Sequence, residues 1–495
     1  MTIQFKTDFK QAPDHLIFPM AKEKDLRSSF QQLETMTGIT AKSLTTDFKA
    51  AKSEIVTLYY KVGTKDKKIS LLGLGEKPTY QSVKDSFRAL SHRNKENGAY
   101  HVYCMQQQTQ ELCEQYCTAA VNGLWLGTYQ IGLYKTQKTA VHSLAKTSGK
   151  IVFYVNKSAV KTIKPACQKA LALAQTQASI LDLVNGAGNR VKPSTLGNWA
   201  KASGKQHGYK VKVLNKKQIT QLGLGALLAV NRGSEYPPSF TIMEYQPKKK
   251  QGQELPTIGL VGKGVTFDTG GLSIKGHLNM HFMKSDMGGA AAVLGTMEMA
   301  AKLQLPIHLV GIVPSTDNCV DATAIKPGDI INSYSGKTIE VIDTDAEGRL
   351  ILADGLAYLN KIFKPGIMID VATLTGSCVR TLGYQAGGLF TKNDHLADQL
   401  LQAGQQSGER LWRLPMWDDY KKDIASDVAD VKNFSGRPVA GAISAAKFLE
   451  AFTAEHPSWV HLDIAGVAFG HSAYSQQRSA TGFGVHLLTE FLEKL

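Results

Sequence analysis

Six charged side chains within residues 263–349 are placed where they could act together. They lie where predicted strands end, and ligands of α/β proteins gather at such ends. Four carboxylates in one cleft repel one another and raise one another's pKa, and divalent cations relieve that repulsion. The six residues are Lys263, Asp268, Lys275, Asp286, Asp345 and Glu347.

Local sequence predicts how the carboxylates are presented. Asp268 lies in the loop VTFDTGGLSIK, which follows the apolar run TIGLVGKG. Asp286 stands just before a small-residue helix and is expected to cap it, with its carboxylate near the positive helix end. Asp345 and Glu347 are two residues apart after KTIEVI, so an extended backbone would turn both carboxylates the same way.

Divalent metal ions suit this set of side chains. Oxygen-rich sites bind Mg²⁺, Mn²⁺ or Zn²⁺, and the metal present depends partly on availability. Two ions about 3.5–4 Å apart would share a bridging water, lower its pKa and polarise a substrate carbonyl. The residues therefore predict a two-metal hydrolase. Nucleotide binding is disfavoured, because GKGVTFDTGG lacks the residue order of a phosphate-binding loop.

The sequence around these residues predicts an α/β fold. From about residue 190 onward, apolar runs such as TIMEY, HLVGIVP, GIMIDVATL and WVHLDIAGVAFG alternate with helical stretches at residues 288–303, 348–362 and 442–454. Such alternation favours a mostly parallel mixed sheet flanked by helices.

The N-terminal part predicts a second, smaller α/β domain. IVTLYYKVG, KISLLGLGE and IVFYVN have the composition of strands, and SVKDSFRALSHRNKENG has helical periodicity. A long Ala- and Leu-rich helical pattern then runs to Asn185. We expect an N-terminal domain at 1–160, a connecting helix at 161–190 and a catalytic domain at 191–495.

The net charge of +15 is concentrated in the N-terminal part, since residues 1–200 hold 27 Lys and Arg against 14 Asp and Glu. This surplus leaves binding of DNA or another polyanion open as a second role. The alternative is a well-solvated basic surface, because no aromatic–basic RNA-binding signature occurs.

Composition and termini predict a cytoplasmic protein without a membrane segment. The start, MTIQFKTDFKQ, lacks the apolar stretch of a signal peptide, and apolar runs such as Leu222–Val230 are too short to span a bilayer. The six cysteines are irregularly spaced without a C-x-x-C pair, which favours reduced thiols over disulfides or a zinc framework.

Several joined motifs closely resemble the leucyl aminopeptidase (cytosol aminopeptidase) family. GKGVTFDTGGLSIK, MKSDMGGAAAVLG and DTDAEGRLILADGLAY are similar to its signature segments, and the likeness continues in DVATLTG, SDVADVKN and HLDIAGVAF. It covers roughly residues 180–495. The resemblance implies a two-domain subunit, a homohexamer, and hydrolytic removal of leucine-like N-terminal residues from peptides.

The resemblance also implies which residues bind two Zn²⁺, Mn²⁺ or Mg²⁺ ions per subunit. One metal site would consist of Lys263, Asp268, Asp286 and Glu347. The other would consist of Asp268, Asp345 and Glu347, so that Asp268 and Glu347 bridge the ions. A hydroxide bound to the metals would attack the scissile carbonyl.

Two further roles follow from the same resemblance. Lys275 matches the lysine that polarises the scissile carbonyl, and Arg349 matches the arginine that holds a bicarbonate ion as proton relay. The residues that match the substrate-binding positions are small or apolar, which suits leucine-like side chains. They are Met283, Thr373, Leu374, Gly376, Ala465 and Ala468.

The sequence departs from the family pattern beside the predicted ligands. Asp343 stands where the family usually has asparagine, and Thr269 stands where it usually has serine. Neither change removes a predicted ligand, so activity is expected. An added acidic group at residue 343 could alter metal preference or affinity, or raise the pH needed for full metal occupancy, and the sequence does not decide its effect.

Three alternatives bear on this prediction. A nucleic-acid-binding regulator is favoured only by the basic N-terminal surplus. A different two-metal hydrolase, such as a phosphoesterase, would be expected to use histidine ligands, and the matched motifs contain none; His277 and His281 lie between them. An inactive relative is disfavoured, because every predicted ligand is present together with Lys275 and Arg349.

Overall fold

The structure is a computed structural model that describes residues 1–9, 11–22, 26–40, 48–105, 109–137, 140–248, 254–471 and 475–495. The chain divides into two compact units, Met1–Ala178 and Ser179–Leu495. Both units are α/β, which confirms the predicted fold class. The finer domain limits drawn from the sequence stay a prediction.

The first unit is built on a six-stranded sheet. Its strands are Thr2–Lys6 (β1), His15–Met20 (β2), Ile55–Val62 (β3), Lys65–Gly73 (β4), Ala99–Tyr103 (β5) and Lys150–Tyr154 (β6). Its helices are Arg27–Thr37 (α1), Tyr80–Arg93 (α2), Gln110–Leu126 (α3) and most of Val160–Asn185 (α4). The strand order is β1-β6-β5-β2-β4-β3, with all pairs parallel except β3 and β4. The strands and the helix predicted here are therefore confirmed.

The second unit holds more strands and helices. Its strands are Lys210–Leu214 (β7), Ser239–Tyr245 (β8), Thr257–Gly262 (β9), Gly264–Asp268 (β10), His308–Asn318 (β11), Ile330–Asn332 (β12), Thr338–Glu340 (β13), Ile367–Ala372 (β14), Gly387–Phe390 (β15), Leu411–Arg413 (β16), Val431–Lys432 (β17), Trp459–Asp463 (β18), Phe469–Gly470 (β19) and Ser479–Ala480 (β20). Its helices are Pro193–His207 (α5), Lys216–Leu222 (α6), Gly225–Val230 (α7), Gly288–Leu303 (α8), Gly348–Phe363 (α9), Gly376–Leu382 (α10), Asp394–Ser407 (α11), Gly441–Glu450 (α12) and Val485–Leu492 (α13). Within the described ranges, no helix is both long and apolar enough to cross a membrane.

The main sheet of this unit is mixed and mostly parallel, as predicted. Its strand order is β16-β15-β18-β14-β9-β11-β8-β7. The ninth strand, β10, pairs with β11 and is not part of this linear order. The central strands β18, β14, β9 and β11 run parallel, and antiparallel pairs join them to β15 on one side and β8 on the other. These central strands are almost continuously buried, as expected for a sheet covered on both faces.

Three central strands end at the same level. Gly262 of β9 pairs with Val371 of β14, and Ala372 of β14 pairs with Asp463 of β18. The residues that follow each strand are therefore neighbours at one edge of the sheet. This edge is where the chemistry predicted from the sequence is gathered.

One local prediction was wrong. The segment after Lys263 was expected to be a loop, but Gly264–Asp268 forms β10, which pairs in parallel with β11. The pairing places Asp268 beside Asn318, with an irregularity in register between Val265 and Asp268. The position of Asp268 is thus set by a strand instead of a loop.

Candidate metal centre

Lys263 follows β9 and lies between two carboxylates. Its Nζ is 2.7 Å from Asp286 Oδ2 and 2.9 Å from Glu347 Oε1, and it donates a hydrogen bond to Thr373 O at 3.0 Å. Both carboxylate oxygens are buried and, within the described part of the chain, lack a partner with hydrogen-bond geometry. In the described part of the chain, both oxygens are therefore held by their ion pairs with the Lys263 ammonium.

Lys275 lies between the other two carboxylates, those of Asp268 and Asp345. Its Nζ lies 2.8 Å from Asp268 Oδ2 and also contacts Asp345 Oδ1. The other oxygen of Asp268 accepts hydrogen bonds from Gly270 N at 2.8 Å and Asn318 Nδ2 at 2.9 Å. Asp268 is thus oriented from both sides.

Gly270 allows this loop to approach Asp345. Its φ is +89°, and a Cβ there would lie 2.5 Å from Ser273 O and 2.8 Å from Asp345 Oδ1. An L-residue side chain fits neither that backbone conformation nor that space. Glycine at residue 270 is therefore required by close packing at the site.

We call Lys263, Asp268, Lys275, Asp286, Asp345 and Glu347 the carboxylate–lysine cluster. Carboxylate oxygens of Asp268, Asp286 and Glu347 lie within 4.8 Å of one another, which is close enough for one metal ion to contact all three. Asp345 is outside that group and adjoins it through Lys275. The structure thus brings together all six residues that the sequence singled out.

Three of the four carboxylates of the cluster are destabilised in their charged form, whereas, despite burial, the lysines lower the pKa of Glu347. Burial raises the pKa of Asp286 well above its ordinary value and also raises the pKa of Asp268. Burial, followed by the charge of Asp268, raises the pKa of Asp345 to about 7. Such shifts are the expected result of crowding carboxylates where water cannot screen them.

The two lysines offset only part of this charge. Burial opposes their charged form, but the adjoining carboxylates outweigh it and raise the pKa of Lys263 and Lys275 above the ordinary value. Two ammonium groups face four carboxylates, so the ionised cluster carries excess negative charge. The donor set therefore fits additional cations with a preference for oxygen ligands.

Asp286 was predicted to cap α8, and this was wrong. The N-cap position of α8 is Met287, which makes no side-chain cap hydrogen bond. Asp286 Oδ1 instead accepts a hydrogen bond from Thr373 Oγ1 at 2.8 Å, after the end of β14. The close approach of α8 to the sheet depends on Gly289, where a Cβ would lie 2.0 Å from Val371 O.

Asp345 and Glu347 were expected to lie on one extended segment, and this was also wrong. Residues 343–347, which we call the metal turn, form a turn in which Asp345 faces Lys275 and Glu347 faces Lys263. Asp343 Oδ1 accepts a hydrogen bond from Asp345 N at 2.8 Å. Asp343 thus stabilises the turn locally, as short acidic side chains do.

Arg349 lies at the start of α9 and is buried. Its Nη1 donates to Asn433 O at 2.7 Å, whereas its Nε has no hydrogen-bond partner among the described residues. Burial lowers the pKa of Arg349 to about 10, against the opposing effect of nearby carboxylates. A buried guanidinium with a spare donor is suited to holding an anion.

The residues predicted to bind substrate lie on segments that follow the strand ends. A Cβ at Gly288 would lie 2.9 Å from Ala468 Cβ and 3.2 Å from Thr373 Cγ2, so these two side chains meet at the start of α8. Met283 precedes Asp286 by one short turn, in the 3₁₀ segment Met280–Ser285, and Gly376 begins α10.

Leu374 and Ala465 are held by a residue that sequence reasoning missed. The fully buried Asp463 accepts hydrogen bonds from Leu374 N at 3.2 Å, Ala465 N at 3.1 Å and Thr375 Oγ1 at 2.7 Å. Asn318 and Asn433 were missed as well. The sequence signal for Asn318 is its place near the end of an apolar run. The signal for Asn433 is its place in the matched motif SDVADVKN.

A buried carboxylate–lysine cluster at the carboxyl ends of a parallel sheet defines a metal-dependent hydrolase of the α/β class. The model of the cytosol aminopeptidase family, catalytic domain, matches residues 179–489, and that of the N-terminal domain matches residues 17–138. The chain therefore belongs to the cytosol aminopeptidase family and is a metal-dependent aminopeptidase.

Individual relatives agree with this assignment. A probable cytosol aminopeptidase of Chloroherpeton thalassium is 41% identical, over 97% of this chain and 96% of the relative. A probable cytosol aminopeptidase of Chlorobaculum tepidum is 43% identical over 90% of each chain. Among solved structures, the bottromycin maturation enzyme BotP in complex with Mn matches with a TM-score of 0.83 and 30% identity, over 98% of this chain and 99% of that chain.

Proposed function

We propose that the carboxylate–lysine cluster binds two divalent ions, Zn²⁺, Mn²⁺ or Mg²⁺, and removes leucine-like residues from the N-termini of peptides. The observation that carries the proposal is the pair of buried oxygens, Asp286 Oδ2 and Glu347 Oε1, which among the described residues contact the Lys263 ammonium and make no further hydrogen bond. An ionised carboxylate can accept several contacts, so both oxygens are available for coordination as well.

The residues proposed to hold the ions are those that the resemblance implies. Lys263, Asp268, Asp286 and Glu347 would form one site, and Asp268, Asp345 and Glu347 the other. When bound, the ions supply a water of lowered pKa and polarise the scissile carbonyl. Lys263 must be neutral to bind a metal, and a nearby dication favours loss of its proton.

Lys275 is proposed to stabilise negative charge on the substrate. Its side chain is 23% exposed, whereas that of Lys263 is 4% exposed, so Lys275 is the lysine that a substrate can reach. An ammonium aimed at the carbonyl oxygen would donate a hydrogen bond that strengthens as charge develops there.

Arg349 is proposed to hold a bicarbonate ion that relays a proton. The support is its buried Nε donor, which has no partner within the described residues, and its place two residues after Glu347. Its Nη1 bond to Asn433 O fixes the orientation of the guanidinium plane.

The proposed pocket for the first side chain is formed by Met283, Thr373, Gly376, Ala465 and Ala468, with Leu374 near the substrate backbone. Apolar and small side chains favour a leucine-like residue, and a methionine thioether adapts to several shapes. A homohexamer, which the resemblance also implies, stays a prediction.

The proposal is tested with leucyl-p-nitroanilide and its N-acetylated form, after the enzyme has been stripped of metal and reloaded with Zn²⁺, Mn²⁺, Mg²⁺ or Co²⁺. We expect cleavage of the free-amine substrate alone, with a rate that depends on the metal. Equal cleavage of the acetylated substrate would contradict an exopeptidase site, and full activity in protein shown by elemental analysis to be metal-free would contradict the metal site.

DNA binding is a second candidate function. It is favoured by the excess of basic side chains within residues 1–200, which hold 27 Lys and Arg against 14 Asp and Glu. Contacts to phosphates release counterions, so affinity should fall steeply as salt rises. Gel retardation of duplex DNA between low and physiological salt tests this role. Retardation that is absent at low salt, or that does not weaken as salt rises, contradicts it.

A further inference from the structure

We propose that Asn433 is a positioning residue that sets the geometry of the metal turn and thereby the affinity of the cluster for metal. This inference rests on the proposed function, because it concerns how the proposed ligands Asp345 and Glu347 are held. Asn433 belongs to none of the metal or substrate positions implied by the resemblance. It is fully buried.

Among the described residues, the side-chain amide of Asn433 binds the backbone of the metal turn and of Ile342, which precedes it. Oδ1 accepts hydrogen bonds from Ile342 N at 2.8 Å and Asp343 N at 3.2 Å. Nδ2 donates to Asp343 O at 2.6 Å and Ala346 O at 3.4 Å. An amide has two donors and two acceptor lone pairs, and all four are used here on one turn.

The backbone of Asn433 is held by other elements. It directly follows β17, which pairs in parallel with β13, and Asn433 N donates to Glu340 O at 3.0 Å. Asn433 O accepts from Arg349 Nη1 at 2.7 Å. The residue therefore connects a sheet, the metal turn and the proposed anion-holding arginine.

This arrangement has a consequence for the charged side chains of the turn. Two like-charged carboxylates tend to separate when no metal is present, so hydrogen bonds to the backbone of the turn help to keep it in its binding conformation. Asn433 supplies four of those hydrogen bonds, to residues 342, 343 and 346, and Asn318 supplies another to Thr344 O. Without the amide, the metal would have to order the turn as it binds, and affinity would fall.

The test compares Asn433→Ala and the milder Asn433→Ser with the wild-type chain. Asn122→Ser is the matched control, since Asn122 is equally buried but lies in the unit Met1–Ala178. Mn²⁺ affinity is measured by competition with a fluorescent chelator, and thermal unfolding is followed in metal-free protein. Removing an orienting contact is expected to weaken Mn²⁺ binding about 10–100-fold.

Activity provides a second readout that separates positioning from ligation. Hydrolysis of leucyl-p-nitroanilide by the Asn433 variants should recover as Mn²⁺ is raised to saturation, because every ligand is still present. Hydrolysis by Glu347→Gln should not recover under the same conditions. Asn122→Ser should bind Mn²⁺ as the wild type does.

Two outcomes would overturn the inference. Wild-type Mn²⁺ affinity in Asn433→Ser, with or without a lower melting temperature, would show that the amide has no role at the metal site. Loss of activity that saturating Mn²⁺ fails to restore in a folded Asn433 variant would show that the residue does not act through metal affinity. If the wild-type chain itself bound no Mn²⁺, Zn²⁺ or Mg²⁺, the proposed function would fail first, which distinguishes the two failures.

Discussion

Replacing Glu347 with glutamine is expected to lower kcat/KM for leucyl-p-nitroanilide by at least about 10³-fold, the loss that corresponds to several kcal/mol of metal-assisted stabilisation. Glutamine keeps the size of the side chain but removes the charge that faces Lys263 at 2.9 Å. Because Glu347 is proposed to be a ligand in both metal sites, its replacement would affect both sites at once. The measurement is steady-state hydrolysis at saturating Mn²⁺.

A matched control separates this effect from damage to the fold. Glu409 is also a buried glutamate of the second unit, and its Oε2 accepts hydrogen bonds from Gly484 N and Leu487 N, both at 2.9 Å. Glu409→Gln keeps an acceptor oxygen and lies on no proposed catalytic segment, so activity should be retained. Near-normal turnover in Glu347→Gln would refute the assignment of the site.

Gly348→Ala is expected to reduce activity about 100-fold while the protein stays folded, since a misplacement of about 1 Å at a reacting centre can cost that much. A Cβ at this position would lie 2.5 Å from Lys263 Cε and 2.6 Å from Lys263 Nζ. The lysine end is flexible and will move, which displaces the group facing Asp286 and Glu347. Alanine also favours a helix over glycine by about 1 kcal/mol, so α9 itself should not be weakened.

The control for this prediction is Gly355→Ala in the same helix. A Cβ at Gly355 would meet Val261 Cγ1 at 2.8 Å instead of a cluster side chain. We therefore expect a lower melting temperature with normal kcat/KM per folded molecule. The two variants are compared by thermal unfolding and by hydrolysis of leucyl-p-nitroanilide. Full activity in Gly348→Ala would contradict a role for the position of Lys263.

Much of the fold could be predicted from the sequence because its signals are local. The strands β9, β14 and β18 are five or six residues long, and each lies within an apolar run that the sequence shows directly. The helix predicted over Gly288–Leu303 has those limits in the structure. The order in which strands pair is not a local property. It depends on which apolar faces cover one another across the whole unit.

The errors at the site have a common physical cause. Asp286 has the sequence of a helix cap, yet Thr373, which is distant in sequence, donates a hydrogen bond to it. Residues 343–347 follow a strand, yet the amide of Asn433 stabilises a turn there. In both places a tertiary hydrogen bond prevails over a local preference, because a buried polar group without a partner is costly.

The sequence by itself determined the kind of chemistry, since four carboxylates and two lysines at predicted strand ends require cations to coexist. Only the tertiary structure decided which lysine serves which carboxylates. Lys263 adjoins Asp286 and Glu347, whereas Lys275 adjoins Asp268 and Asp345. These distances are set by tertiary structure, because the central strands end at one edge of the sheet and β10 and the metal turn lie beside that edge. Charge pairing acts over a few ångströms in space, and spacing along the chain does not encode it.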